Sequence, residues 1–243
     1  MSNKPALLRF RGAPDDIEGL APMSFQQTVS AEVAFDLKLP SSVAQEGAIN
    51  WQAEAAGATA TWLRFALPDN TPPGSYEGAV RLGTERFEII VEVDPQPSVL
   101  LSPRHLSLQA APGAEIYADF TVVNTGNVTV DLPRAHIFGL FDVKGLDRAV
   151  GAALQESAEK GKGRIDRLAD EVADNHGGTA RVRLQEGAGA LEPGEMRHLR
   201  ALFSFSNRLK PARRYYGIWS LLNLEYRIEI QITGESPTEK ETK

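Results

Sequence analysis

A repeat spaced 139 residues apart constrains this chain more than any other feature. Pro72-Pro-Gly-Ser-Tyr-Glu-Gly-Ala-Val-Arg-Leu82 recurs in character as Pro211-Ala-Arg-Arg-Tyr-Tyr-Gly-Ile-Trp-Ser-Leu221. Pro72 matches Pro211, Tyr76 matches Tyr215, Gly78 matches Gly217 and Leu82 matches Leu221, while Val80 stands where the second copy has Trp219. The same offset sets Phe87, Ile89, Val91 and Val93 on Tyr226, Ile228, Ile230 and Ile232. After the tyrosine these matches fall on every second residue, the period that turns one side of a strand towards a core. Two earlier stretches match more roughly: Ala31–Leu39 with Ala114–Val123, and Trp62–Leu67 with Ala201–Phe205. An ordered series of this kind predicts two copies of one fold, a tandem pair and not a solenoid.

Each copy reads as a β-sandwich, so the chain is expected to be mainly β. Alternating segments at Val33–Leu39, Thr61–Leu67, Glu77–Leu82 and Phe87–Val93 are separated by turn residues. The second copy has such segments at Leu106–Ala110, Ile116–Val123, Ala180–Leu184, Leu199–Phe205, Tyr216–Leu222 and Tyr226–Ile232. A tyrosine a few residues after a proline in each copy suits a tyrosine corner. Pro95 and Pro97 interrupt a sheet ladder and stiffen a connection, which places domains at 1–95 and 96–234. The charge divides at the same point. Residues 1–95 carry 7 Lys/Arg and 13 Asp/Glu, a net of −6, and residues 96–234 carry 17 and 16, a net of +1. The tail 235–243 has no apolar side chain larger than proline and is expected to be disordered.

The stretch Ala111-Pro-Gly-Ala-Glu-Ile-Tyr-Ala-Asp-Phe-Thr-Val-Val-Asn-Thr-Gly-Asn-Val-Thr-Val130 resembles the start of bacterial Ig-like modules of the alpha-galactosidase-associated and adhesion-associated type. Leu191-Glu-Pro-Gly-Glu and the later Pro211…Tyr215-x-Gly217 are similar to the second half of such modules. In the first copy only Pro-Gly-x-Tyr-x-Gly matches, and Val33–Leu39 runs into Pro40-Ser-Ser instead of Asn-Thr-Gly-Asn. The resemblance implies two tandem Ig-like sandwiches with a binding or spacing role, and no shared active site. Two sandwiches in a chain of this length are also architecturally similar to the periplasmic pilus chaperones.

A helical insertion is expected between the sandwich strands of the second copy, at about 142–178. Val150, Leu154 and Ala158 stand at i, i+4, i+8, and Ile165, Leu168 and Val172 at i, i+3, i+7. Asp142 suits the N-terminal cap and Gly177-Gly178 the stop. The apolar stripe is thin. It fits a helix laid on a sandwich edge or a protruding element that binds a partner, and the missing Trp and Phe speak against a membrane-surface helix.

Catalytic and metal chemistry find little support. The chain has no cysteine, which removes disulfides, thiol catalysis and Cys-ligated zinc. His105, His136, His176 and His198 form no i,i+3 or i,i+4 pair. His105 and His136 lie in strand-like runs, and His176 suits the negative end of a helix. Neither Gly-x-Ser-x-Gly nor a phosphate-binding Gly-x-x-x-x-Gly-Lys motif is present, and Gly161-Lys-Gly163 stands alone. Asp15-Asp16-Ile-Glu18 and Asp170-Glu171 read as solvated faces. Asn127-Val-Thr129 matches a glycosylation sequon and reads as a turn. No enzyme and no cofactor are implied. The net charge of −6 argues against a nucleic-acid partner. No run approaches the roughly 18–20 apolar residues of a membrane span, and the N-terminus shows no secretory pattern, so a cytoplasmic location is expected.

Two surface features remain. Arg208, Lys210, Arg213 and Arg214 crowd the loop before the repeated tyrosine, where the first copy has Asp69. Opposite charge in matching loops suggests head-to-tail self-association. The strand Tyr215–Leu224 is apolar on both parities, with Tyr216, Ile218, Leu222 and Leu224 on one and Tyr215, Trp219 and Leu221 on the other. Cover by the insertion or by a partner is therefore expected. The candidate partner-binding residues are Arg208, Lys210, Arg213, Arg214, Ile218, Trp219, Leu222, Val150 and Leu154. They make the chain a non-catalytic protein–protein interaction or structural subunit of a larger assembly. The alternatives are a carbohydrate-binding or substrate-positioning module, which needs an exposed aromatic platform that Trp51, Trp62 and Trp219 are too scattered or strand-buried to build, and a chaperone that completes a partner's sheet.

Overall fold

The computed structural model describes residues 7–22, 24–25, 33–41, 43, 49, 51–57, 59–82, 85–147, 149–150, 168–170, 172–173, 176–222 and 224–233. The chain divides into two compact units. Unit 1 comprises Met1–Ser98, Asn124–Val130 and Glu192–Glu195, and unit 2 comprises Val99–Val123, Asp131–Leu191 and Met196–Lys243.

Unit 1 is a seven-stranded curled sheet. Its strands are β1 (Leu7–Ala13), β2 (Asp16–Pro22), β3 (Val33–Leu37), β4 (Trp51–Ala55), β5 (Ala60–Phe65), β6 (Gly74–Leu82) and β7 (Glu85–Val93), in the order β3-β6-β7-β1-β2-β5-β4. β1 pairs in parallel with β7, Leu8 opposite Ile89 and Phe10 opposite Val91, then antiparallel with β2 through Arg11 and Glu18. One strand thus serves both halves, and the sheet folds over a core of Phe10, Ile17, Leu63, Phe65, Val80, Ile89 and Val91. Phe10 and Phe65 meet edge-on with ring centroids 5.3 Å apart.

Unit 2 contains β8 (Val99–Ser102), β9 (Leu106–Ala110), β10 (Glu115–Asn124), β11 (Val130–Leu132), β12 (Ala135–Asp142), β13 (His176–Glu186), β14 (Gly189–Leu191), β15 (Met196–Phe205), β16 (Arg214–Leu221) and β17 (Leu224–Ile232). Eight of them form one curled sheet in the order β8-β10-β15-β13-β12-β16-β17-β9, and β11 pairs with β14. The halves meet in an aromatic cluster. Phe120 of β10 lies 5.8 Å from Trp219 of β16 and 5.7 Å from Tyr226 of β17, centroid to centroid, and Phe203 of β15 lies 6.3 Å from Trp219. In both units the second, fifth and fourth principal strands lie side by side, and the third lies beside the last hairpin. This is the Ig-type order of a β-sandwich.

The topology explains the repeat. β6–β7 and β16–β17 are equivalent hairpins, and each last strand carries a parallel partner at the same register: Ile89 faces Leu8 and Ile228 faces Leu106. A Cβ on Gly78 would strike the Asp36 carbonyl of β3, and one on Gly217 would strike the Phe138 ring of β12, so both hairpins need glycine at this crossing. Both tyrosines pin the loop that precedes their strand. The Tyr76 hydroxyl donates to the Pro72 carbonyl at 2.6 Å, and the Tyr215 hydroxyl accepts the Lys210 N–H at 3.0 Å.

Several expectations are corrected. Val33–Leu37 pairs with β6, whereas Glu115–Asn124 pairs with β15, so the rough match of Ala31–Leu39 with Ala114–Val123 joins strands at different places in the sandwich. Alternation alone does not say which strand of a sandwich it marks. The helical insertion is not supported as an element. Helical backbone occurs at 145–147, 149–150, 168–170 and 172–173, and 151–167, with Leu154, lie outside the described residues. Gly177 and Gly178 are not a helix stop: they belong to β13, where a side chain at 177 would press on the Tyr215 ring. His105 lies exposed in a bend before β9 and not in a strand. The tail 235–243 lies outside the described residues.

Asn127 is no surface turn. It is 2% exposed and belongs to unit 1. Its amide group donates to the carbonyls of Thr71 and Asp94 at 3.0 and 2.9 Å, and its Oδ1 accepts the Gln96 N–H at 2.6 Å. The neighbouring Gly126 is required because a Cβ there would land on the Gln96 carbonyl oxygen. Asn127→Ala strands one buried and two partly buried backbone groups, so unit 1 is expected to lose about 2–4 kcal/mol in urea unfolding. A second expectation concerns alkaline pH. Burial raises the Tyr226 phenol from 10.0 to about 12, and its hydroxyl donates to the Pro103 carbonyl at 2.8 Å. The neutral form is the one the fold favours, so its contribution is complete below pH 10.0 and is lost as pH climbs towards about 12. Thermal unfolding across that window falls more shallowly in Tyr226→Phe than in the wild type.

Candidate interaction surfaces

Strand alternation sorts the expected partner-binding residues. Along β16, Tyr215, Trp219 and Leu221 point inwards and Arg214, Ile218 and Ser220 point outwards. Trp219 is 1% exposed within the aromatic cluster, so its place among the binding residues is corrected: it is core. Ile218 is 41% exposed and Leu222, in the turn after β16, is also exposed. The outer face of this strand is therefore exposed, and the expected cover by the insertion falls mostly on 151–167, outside the described residues. Val150 is exposed as well.

The basic loop divides in a similar way. Arg208, Lys210 and Arg214 are exposed. Arg213 instead donates to the Asp142 carboxylate at 3.0 Å, the two side chains being 24% and 1% exposed. Asp142 also accepts the Lys144 N–H at 2.9 Å, an Asx turn at the end of β12. Arg213 is thus the counter-ion of a buried carboxylate and not a free docking charge.

Around Ile218 the sheet carries an apolar stripe that sequence reading missed. Phe141 of β12 stands opposite Tyr216, their rings 5.7 Å apart, and Ile137 lies exposed along the same strand. The Arg227 guanidinium sits 5.0 Å over the Tyr216 ring, and Arg181 and Arg183 face Ile137 and Ala135 across β13. A shallow groove of about 520 Å³ runs along Ala135, Ile137, Arg181 and Arg183. In a two-layer sandwich the outward face is ordinarily polar, so aliphatic and aromatic groups between arginines mark this one as unusual.

Trp62 is not strand-buried as expected. It shares parity with Arg64, while Thr61, Leu63 and Phe65 point inwards, and that parity was the available signal. The indole is 44% exposed on the face of β5. Among the described residues no group of three or more His, Cys, Asp or Glu is placed to hold a metal ion, and no helix is long and apolar enough to cross a membrane.

No family model matches the chain, and no curated protein matches it. Among solved structures, the ASH/PapD-like domain 7 of human CEP192 is 14% identical, covering 59% of this chain and 94% of that domain at a TM-score of 0.29. A three-Ig fragment of titin is 9% identical over 95% of this chain, which spans 63% of the fragment's length, with a TM-score of 0.35. DIP-gamma IG1+IG2 is 10% identical over 95% of this chain and 94% of its own, with a TM-score of 0.30. The titin and DIP-gamma structures are Ig-type tandems, and no alpha-galactosidase-associated family is shown.

Arg213 and Arg214 differ in a way that stability measurements read directly. Arg213→Ala leaves the Asp142 carboxylate buried without its cation and costs about 2–4 kcal/mol, whereas Arg214→Ala stays within about 0.5 kcal/mol of the wild type.

Proposed function

We propose that this chain is a non-catalytic, cytoplasmic interaction or structural subunit whose partners are proteins, with sandwich domains at 1–95 and 96–234, the first completed by Asn124–Val130 and Glu192–Glu195. The observation that carries this reading is the stripe of Ile137, Phe141, Tyr216 and Ile218 on the outer face of unit 2, set between Arg181, Arg183 and Arg227. Aromatic and arginine side chains that stay exposed on a rigid sheet have the composition of an interface centre, and they cost little entropy to dock. The surroundings favour a partner that offers apolar groups together with carboxylates.

The test uses native co-purification followed by binding of the identified partner to the purified full-length chain. Phe141→Ser with Ile218→Ser leaves thermal unfolding close to wild type, because both side chains are exposed, and weakens the partner's Kd by at least about tenfold. A double variant that binds every wild-type partner with unchanged affinity removes the stripe as the interface.

A further inference from the structure

The acidic half of the chain carries its own receptor-like groove. Trp62 lies on β5 between Leu20 of β2 and Glu54 of β4, its direct cross-strand neighbours, and the adjacent row is Glu18, Arg64 and Gln52. Glu18, Gln52, Glu54, Trp62 and Arg64 line an open groove of about 500 Å³. Arg64 is held by Asp16 at 3.0 Å and Glu18 at 2.8 Å, so its charge is already answered and the groove is left with a carboxylate surplus. An exposed indole beside the Glu54 carboxylate suits a cation, above all the flat guanidinium of arginine, which stacks on the ring and bonds the carboxylate. A rim of ionised groups suits a neutral sugar less well than amides and hydroxyls would.

Unit 2 carries the complementary feature. The loop before β16 presents Arg208 and Lys210 to solvent, Arg214 follows as the first residue of the strand, and the loop is fixed at several points. The Arg208 N–H donates to Ser206 Oγ at 3.1 Å, the Lys210 N–H to the Tyr215 hydroxyl at 3.0 Å, and the Ala212 N–H to the Ile232 carbonyl at 3.1 Å. Leu209, 2% exposed, anchors the loop in the core. A cationic tip held this rigidly loses little freedom on docking. We propose that the Trp62 groove of one molecule receives the Arg208–Arg214 tip of a second copy, head to tail. The inference rests on the reading of the chain as an interaction subunit and adds a self-association site whose tip meets the Phe141–Ile218 stripe at Arg214, on the same face of β16. Such a contact is heterologous, giving a ring where its rotation closes and an open chain where it does not.

Sedimentation velocity on the full chain provides the test, at about 1–200 µM and at about 0.05 and 0.5 M salt. The wild type gains mass with concentration at low salt and loses it at high salt. Trp62→Ala with Glu54→Gln keeps the tip and loses the groove, and Arg208→Glu with Arg214→Glu keeps the groove and loses the tip. Neither variant self-associates, both unfold at the wild-type temperature, and an equimolar mixture gives a dimer and nothing larger. A wild type that stays monomeric, variants that assemble like it, or an inert mixture each overturn the proposal. So does saturable quenching of Trp62 by neutral xylohexaose without self-association, which assigns the groove to a sugar. Self-association unchanged in Phe141→Ser/Ile218→Ser separates this site from the stripe. Its failure alongside intact partner binding sinks only the head-to-tail contact.

Discussion

Both units depend on a parallel ladder that ties an early strand to the last one. β1 against β7 and β9 against β17 place Leu8 opposite Ile89 and Leu106 opposite Ile228. Parallel pairing of strands so far apart in sequence is costly in chain entropy and is offset when their inward face finds cover in the core. The inward residues of these strands supply that cover, and no disulfide contributes, because the chain has no cysteine. Everything on the outer faces follows from this register. Shifting either ladder by one residue would send Val91 or Ile230 to solvent and draw the charged neighbours inwards.

The hairpins were legible in the sequence because their constraints are local. Gly78 and Gly217 answer a close backbone crossing, the two tyrosines answer a loop that must be pinned, and the period of two answers burial. Pairing partners were less legible. Glu115–Asn124 and Val33–Leu37 have similar alternation but sit at different places in the sandwich, and nothing within five to ten residues records which strand lies alongside. Asp16 and Glu18 do lie on a solvated face, as they read, but a charged cluster does not show that this face belongs to a strand or that its partner is Arg64.

Polar side chains were the hardest to read. Asn127 looks like any turn residue, yet it is buried and bonded to carbonyls more than thirty residues away. Arg213 and Arg214 are adjacent and chemically identical, but β16 begins between them: one points to the buried Asp142 and the other to water. The count of charges in a loop therefore overstates the charge it offers to a partner. Parity was the usable signal, since it separates Trp62 from Leu63 and Ile218 from Trp219 once an inward neighbour is known.

The hold on Asn127 also has a consequence for synthesis. Unit 1 includes Asn124–Val130 and Glu192–Glu195 as well as the first 98 residues. A nascent chain that has delivered β7 still lacks the amide that satisfies Thr71, Asp94 and Gln96. The first sandwich therefore waits, unfinished, for residues made much later, and the ribosome reaches most of the second unit before the first is complete.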